Sequence, residues 1–208
     1  MTASQDKNID NQQPENRHYS LEEYFDFQKT AERRFEYHDG KIVPITSATE
    51  NHGRIVTNLV RFLGNCLDGT DCEVFAADRD VYVEACNRVF FPDVLIVCGE
   101  REYHKRSKNV DATTNPTVVI EVLSNSTKNT DKGVKLRCYR RLASLKQYLI
   151  IEQDFKNIEV YEPNINKNWT SRIYEDEGDV IKVGGCKISI DDIYKRVEFA
   201  KAESKSDN

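Results

Sequence analysis

No stretch of the chain approaches the ~20 consecutive apolar residues that a membrane-spanning helix needs, and the segment from Met1 to Arg17 carries polar and charged residues with no apolar run. Neither a helical anchor nor a signal peptide is expected, and a cytoplasmic location is the default. The six cysteines (Cys66, Cys72, Cys86, Cys98, Cys138, Cys186) contain no CxxC pair. Most of them fall inside apolar patterns, where a thiol behaves as a small hydrophobe, so they are expected reduced and buried. The four histidines (His18, His38, His52, His104) show no HExxH spacing, which disfavours a zinc hydrolase. There is no excess of positive charge either. The formal net charge is -5, which speaks against a surface that coats nucleic acid indiscriminately but leaves room for a local basic patch. Internal repeats, helix-turn-helix and zinc-finger patterns are lacking.

What the chain does have is the material for one α/β domain: 208 residues, 38% hydrophobic and 31% charged. The expected organisation is a disordered tail over residues 1–18, a single folded domain over 19–198 and a charged tail over 199–208. Ser20 with Glu23 forms a capping box opening a short helix. Asp39-Gly40 between Arg34–His38 and Lys41–Thr46 predicts a two-residue β-hairpin. A helix follows over Asn51–Leu67, with Ile55, Leu59, Phe62, Leu63 and Cys66 on its apolar face. Cys72–Val83, Val89–Cys98 and Thr117–Ser124 read as strands, and the polar stretch Gly99–Pro116 as an exposed loop. A basic helix over Thr130–Leu142, with Val134, Cys138 and Leu142 buried, leads into the apolar strand Gln147–Glu152. That strand–helix–strand order predicts a βαβ crossover. Alternating segments from Asn157 onward predict antiparallel strands, with a short helix after Ser189.

Two acids stand out against this background. Asp93 interrupts Val-Phe-Phe-Pro-Asp-Val-Leu-Ile-Val, and Glu121 interrupts Thr-Val-Val-Ile-Glu-Val-Leu. Runs this apolar are typical of central strands covered on both faces. An unpartnered carboxylate there costs several kcal/mol or more. Each acid taken alone is explained by a strand end open to water, and Pro92 favours that reading for Asp93. Taken together, the pair calls for a cation, and hard oxygen ligands suit magnesium or manganese better than zinc. Lys135, four residues after Asp131 and four before Tyr139, lies on one helix face with them. Spacing alone makes it a solvated surface pair.

Pro92-Asp93, then Glu121-Val122-Leu123-Ser124-Asn125-Ser126-Thr127, then Asp131, Lys132, Gly133, Lys135 and Tyr139 resemble the Uma family of restriction endonucleases, a bacterial branch of the PD-(D/E)XK nucleases. The likeness extends upstream through Tyr19–Tyr24, Phe35-Glu36-Tyr37 with Asp39-Gly40, and His52, and downstream through Gln147–Ile151 and Ile158–Tyr161. It covers about Tyr19 to Val197. The resemblance implies a restriction-endonuclease-like mixed β-sheet flanked by helices, here with an antiparallel C-terminal β extension, a Mg2+-dependent phosphodiesterase site with Mn2+ as substitute, DNA as partner, and a homodimer. Carried over residue by residue, it makes Asp93 and Glu121 metal ligands, with the Val122 carbonyl as the expected third, and Lys135 the catalytic lysine. The wider superfamily places its lysine two residues after the glutamate; here that position is Leu123, and the lysine comes from the following helix instead.

Glu36, His52 and Asp80 are secondary candidates, each also explained by ordinary hairpin, helix-cap or strand-end polarity. Asp78 shares a strand face with Asp80 by period two. Arg101, Lys105, Arg106 and Lys108 of the polar loop, and Lys128, Lys132, Arg137, Arg140 and Arg141 of the basic helix, are the expected DNA-facing cations. A catalytically weak or inactive DNA-binding or regulatory module on the same fold is the alternative reading.

Overall fold

The computed structural model describes residues 14–77, 79–104, 112–124 and 128–200, the side chain of Asn129 excepted. Most of the two expected tails, together with Asp78, Lys105, Arg106, Lys108 and the Asn125-Ser126-Thr127 stretch, lies outside the described residues.

Helix α1 (Leu21–Thr30) starts at the expected capping box: the Ser20 hydroxyl accepts from the Glu23 N–H at 3.1 Å, and the Glu23 carboxylate accepts from the Ser20 N–H at 2.7 Å. Strands β1 (Phe35–His38) and β2 (Lys41–Pro44) form the hairpin. Asp39 and Gly40 have φ of 48° and 94°, as a two-residue turn of this hand requires. Gly40 is fixed twice over, because a Cβ there would stand 2.1 Å from the His18 ring. Helix α2 (Glu50–Leu67) is capped by Thr49, whose hydroxyl accepts from the His52 N–H, and buries Ile55, Leu59, Leu63 and Leu67 at four-residue intervals.

Two strands expected to be continuous are each broken in the middle. Cys72–Val83 divides into β3 (Cys72–Ala76) and β4 (Val81–Val83), and Val89–Cys98 into β5 (Arg88–Phe90) and β6 (Val94–Cys98). In the second case the break falls at Pro92, which has no N–H for a ladder. The halves join different sheets. The polar stretch also contains two short strands, β7 (Tyr103–His104) and β8 (Ala112–Thr113). One sheet runs β2-β1-β5-β4-β8-β7. The other contains β9 (Val118–Leu123), β10 (Gln147–Glu152), β11 (Ile158–Pro163) and β12 (Trp169–Tyr174), in the order β12-β11-β10-β9-β6-β3. β9 and β10 are parallel, as the crossover demanded, while β6 and β11 flank them antiparallel. β13 (Val180–Val183) and β14 (Cys186–Ser189) form a separate hairpin leading into α5 (Ile190–Ile193).

The larger sheet is covered on both faces. Val118, Ile120 and Val122 point into a core with α2, β13, β14 and α5. Val119 and Leu123 point the other way, into a second core with Leu136, Cys138 and Tyr139. Glu121, between them on the strand, shares that second face by the period-two rule. The smaller sheet packs a third, aromatic core of Tyr24, Phe25, Phe35 and Tyr37 against α1.

The cysteines correct an expectation. All six are oxidised, as Cys66–Cys186, Cys72–Cys98 and Cys86–Cys138. Their separations of 120, 26 and 52 residues leave no local spacing signal, because only the tertiary fold brings the partners together. Cys72 and Cys98 face each other across β3 and β6.

Candidate active site

The site is built where strands change sheets. Val94 pairs with Ile120 and Leu95 with Val119, so one further step in this register sets Asp93 opposite Glu121. Asp93 ends no ladder by itself; its Oδ2 accepts from the Val122 N–H at 2.7 Å, and its Oδ1 lies 3.1 Å from His52 Nε2 in the first turn of α2. The two acids predicted from the apolar runs are therefore neighbours at one end of the β6–β9 pair.

The expected basic helix is not regular. It consists of α3 (Lys128–Thr130), a π-helical turn (Asp131–Lys135) and α4 (Leu136–Tyr139). A π turn fits one more residue than an α turn and so rotates the side chains that follow it. Of the anticipated stripe, Cys138 is buried but Val134 and Leu142 are only half-buried, and Asp131, Lys135 and Tyr139 face the sheet as well. The Tyr148 hydroxyl on β10 donates to the Asp131 carbonyl at 3.1 Å, fastening the turn to the sheet.

Lys135 thereby enters a nest of carboxylates. Its Nζ lies 3.1 Å from Glu121 Oε1, 3.1 Å from Asp131 Oδ1 and 3.2 Å from Glu36 Oε1. The Tyr139 hydroxyl donates to Glu121 Oε1 at 3.3 Å. Glu36, on β1, also accepts from the Phe91 N–H and lies 2.8 Å from His38 Nε2. Burial lowers the Lys135 pKa, yet Glu121, Glu36 and Asp131 outweigh it and hold the ammonium well above the usual lysine range. Burial pushes the Glu121 carboxyl well above its usual range; Lys135 pulls it down, but Asp131, Asp93 and Glu36 push it further up. Burial pushes Glu36 upward as well, but Lys135 and His38 outweigh it and leave that carboxyl below its usual value. One ammonium does not balance four carboxylates.

These groups line a cleft of about 420 Å³. Asp93, Glu121, Val122, Lys135, Glu36 and His52 all border it, so six of the residues singled out from sequence are brought together. Asp80 is buried between β3 and β4 and does not border the cleft. Arg101 is paired with Glu73 at 3.3 Å, and Lys128 and Lys132 with Glu152 at 2.8 and 3.5 Å. Other cleft residues were given no role in the site by sequence, among them His38, Asp131, Arg34 and Phe91. His38 follows Glu36 by two on one strand and so shares its face, a signal the alternation carries. Asp131 looked like half of a surface pair. Arg34 and Phe91 gave no spacing signal.

Among the described residues, no three Asp, Glu, His or Cys side chains converge as a ready-made metal cage. The donor set nonetheless fits magnesium, which keeps several waters and takes only one or two carboxylates from a protein. Asp93 and Glu121 are hard oxygen donors side by side in an anionic site.

The family model described as "Putative restriction endonuclease", Uma2, matches residues 21–186. This chain belongs to the Uma2 family. Two uncharacterized proteins of Synechocystis are similar to it. One is 32% identical over 147 residues, covering 71% of this chain and 82% of its own length. The other is 30% identical over 181 residues, covering 86% and 93%. A solved structure from Anabaena variabilis, a "putative nuclease belonging to DUF820", superposes with a TM-score of 0.68 at 18% identity, covering 85% of this chain and 97% of its own. At that identity the Anabaena protein speaks for the fold of the Uma2 chain, which is the restriction-endonuclease-like mixed sheet. No helix among the described residues is long and apolar enough to cross a membrane.

Proposed function

We propose that this Uma2 protein is a metal-dependent endonuclease that hydrolyses phosphodiester bonds in DNA. The observation that carries the reading is the placement of Lys135: a helix delivers an ammonium to Glu121, beside Asp93, where the superfamily's strand lysine is replaced by Leu123. Asp93, Glu121 and the Val122 carbonyl are the groups that would hold magnesium or manganese. When bound there, the metal supplies Lewis acidity toward a phosphate oxygen and lowers the pKa of a coordinated water.

The remaining work falls to the chain itself. Lys135, held between three carboxylates, is placed to orient the attacking water and to offset negative charge growing on the phosphate. Asp131 and Glu36 hold the ammonium in place from two further sides, and Tyr139 fixes Glu121. His52 orients Asp93 through Oδ1, while the Val122 N–H fixes Oδ2. A homodimer and a cytoplasmic location belong to the same reading.

The second reading is a catalytically weak or inactive DNA-binding or regulatory module. Leu123 at the superfamily's strand-lysine position and the acidic balance of the chain favour it. Incubation of purified protein with plasmid and linear DNA, with magnesium or manganese, decides between them. The enzyme reading expects metal-dependent cleavage abolished by Asp93→Ala and by Glu121→Ala; metal-independent binding without cleavage sinks it.

A further inference from the structure

The cleft has two unlike halves. One is the carboxylate nest. The other is formed by Val43, Pro44 and Ile45 at the end of β2, and by Phe91, which is only partly buried and stands two residues before Asp93. Ile45 is 37% exposed, a large side chain left at the rim. Arg34 borders the same half: its guanidinium lies 5.9 Å from the Phe91 ring centre and donates to the Ala77 carbonyl at 2.5 Å. Hydrolysis of a phosphodiester on the outside of a duplex gives no use to such a wall. The bases of a duplex are stacked inward, and only their edges reach a protein in the grooves. An aromatic ring with a guanidinium beside it is instead the combination that holds an unpaired nucleotide, the ring under the base and the cation on a phosphate.

Two further observations point the same way. About 420 Å³ lies within the range of pockets that take one small molecule, and so suits a single nucleotide. Duplex binding rests on many phosphate contacts by lysine and arginine, whereas Arg34 and Lys135 are the only lysine or arginine residues that border the cleft among the described residues.

We infer that the cleft takes one unpaired nucleotide of a DNA strand, its base stacked on Phe91 and a flanking phosphate on Arg34, so that the substrates are single-stranded or locally unpaired DNA. This rests on the nuclease reading above and names its substrate class.

The test is fluorescence anisotropy with the full chain, using calcium in place of magnesium as a hard cation of the same ligand preference. The probes are a labelled single strand, the same strand in a duplex, a duplex carrying an unpaired flap, and a strand of abasic residues of equal length. The single strand and the flap bind at least about tenfold more tightly than the duplex. Phe91→Ala weakens strand binding by roughly 5- to 150-fold, the span of one base stack. The abasic strand shows the same loss on the wild-type protein and no further loss on Phe91→Ala. Phe91→Trp restores binding, and its emission changes with the strand but not with the duplex. Arg34→Gln lowers the salt dependence by about one phosphate contact. If Phe91→Ala unfolds, Phe91→Trp and Arg34→Gln carry the test. Equal affinity for strand and duplex, or indifference to base and to Phe91, overturns the inference while leaving the nuclease reading standing. Failure of the wild-type protein to bind or cut any of these DNAs overturns both.

Discussion

Lys135 Nζ lies 3.1 Å from Glu121 Oε1, across fourteen residues of chain that include a π turn. The ammonium both completes the proposed catalytic set and compensates buried anions, so its removal is expected to cost twice. Lys135→Ala should lower the cleavage rate by about 10² to 10³, the usual cost of losing a preorganised charge-stabilising group. It should also lower stability by about 3–5 kcal/mol, because partners of a buried ion pair are left uncompensated. Cleavage assays and urea unfolding on the same preparation read the two effects. A variant as stable as the wild type would show that the carboxylate nest does not depend on this cation.

The two glutamates that touch Lys135 should titrate with opposite effects on stability. Glu36 has a folded pKa below its ordinary value of 4.5, so its contribution is present above that value and is lost as pH falls through it toward the folded pKa. Glu121 is raised, so its contribution is present at acid pH and is lost as pH rises through the folded pKa. Urea midpoints from about pH 3 to about pH 9 should show Glu36→Gln flattening the acid limb and Glu121→Gln flattening the other. Swapped or absent effects would contradict the charge balance described for the site.

Leu123 is buried in the core shared with Leu136 and Tyr139. Installing the superfamily's strand lysine there should therefore fail as a repair. Leu123→Lys places a second ammonium in an apolar layer and is expected to destabilise by several kcal/mol. Combined with Lys135→Met it should restore little cleavage, since the lysine would start from among aliphatic side chains. Thermal melts and plasmid cleavage test this; rescue to near wild-type rate would mean that the strand position and the helix position are interchangeable.

Thiol labelling followed by intact-mass measurement should find no labelled cysteine in unreduced protein and six after unfolding in reductant. The Cys86–Cys138 bridge closes 52 residues, and loop entropy assigns about 4 kcal/mol to a loop of that length. Cys86→Ser should lose stability of that order. Labelled thiols in protein kept from reductant would restore the reduced state expected from sequence and remove the tension between three disulfides and a cytoplasmic location.

Much of this molecule was legible in its sequence wherever a feature is local or periodic. The Ser20–Glu23 box, the Asp39-Gly40 turn, the α2 face and the β9–β10 crossover all follow from spacing within a few residues. Asp93 and Glu121 were visible because a carboxylate inside an apolar run has an energetic cost that some partner must meet. What spacing could not show was where segments change partners. The break at Pro92 sits inside a nearly continuous apolar run, and periodicity does not say which sheet a strand joins. Asp131 is the sharpest case. Four residues before a lysine, it has the signature of a surface pair, and only the π turn buries it beside Glu121.

That turn also separates the parts of the site. The sheet supplies Asp93 and Glu121 from strands locked in register, whereas the ammonium arrives on a different piece of chain, held by its own packing against Tyr148 and the sheet. A slip of one residue in segment 128–139 would swing the lysine out while Asp93 and Glu121 kept their strand register, now without their cation. The strand pattern would survive such a change although the site and some stability would be lost. Recognising this site therefore requires locating the positive charge in space rather than at a fixed offset from the glutamate.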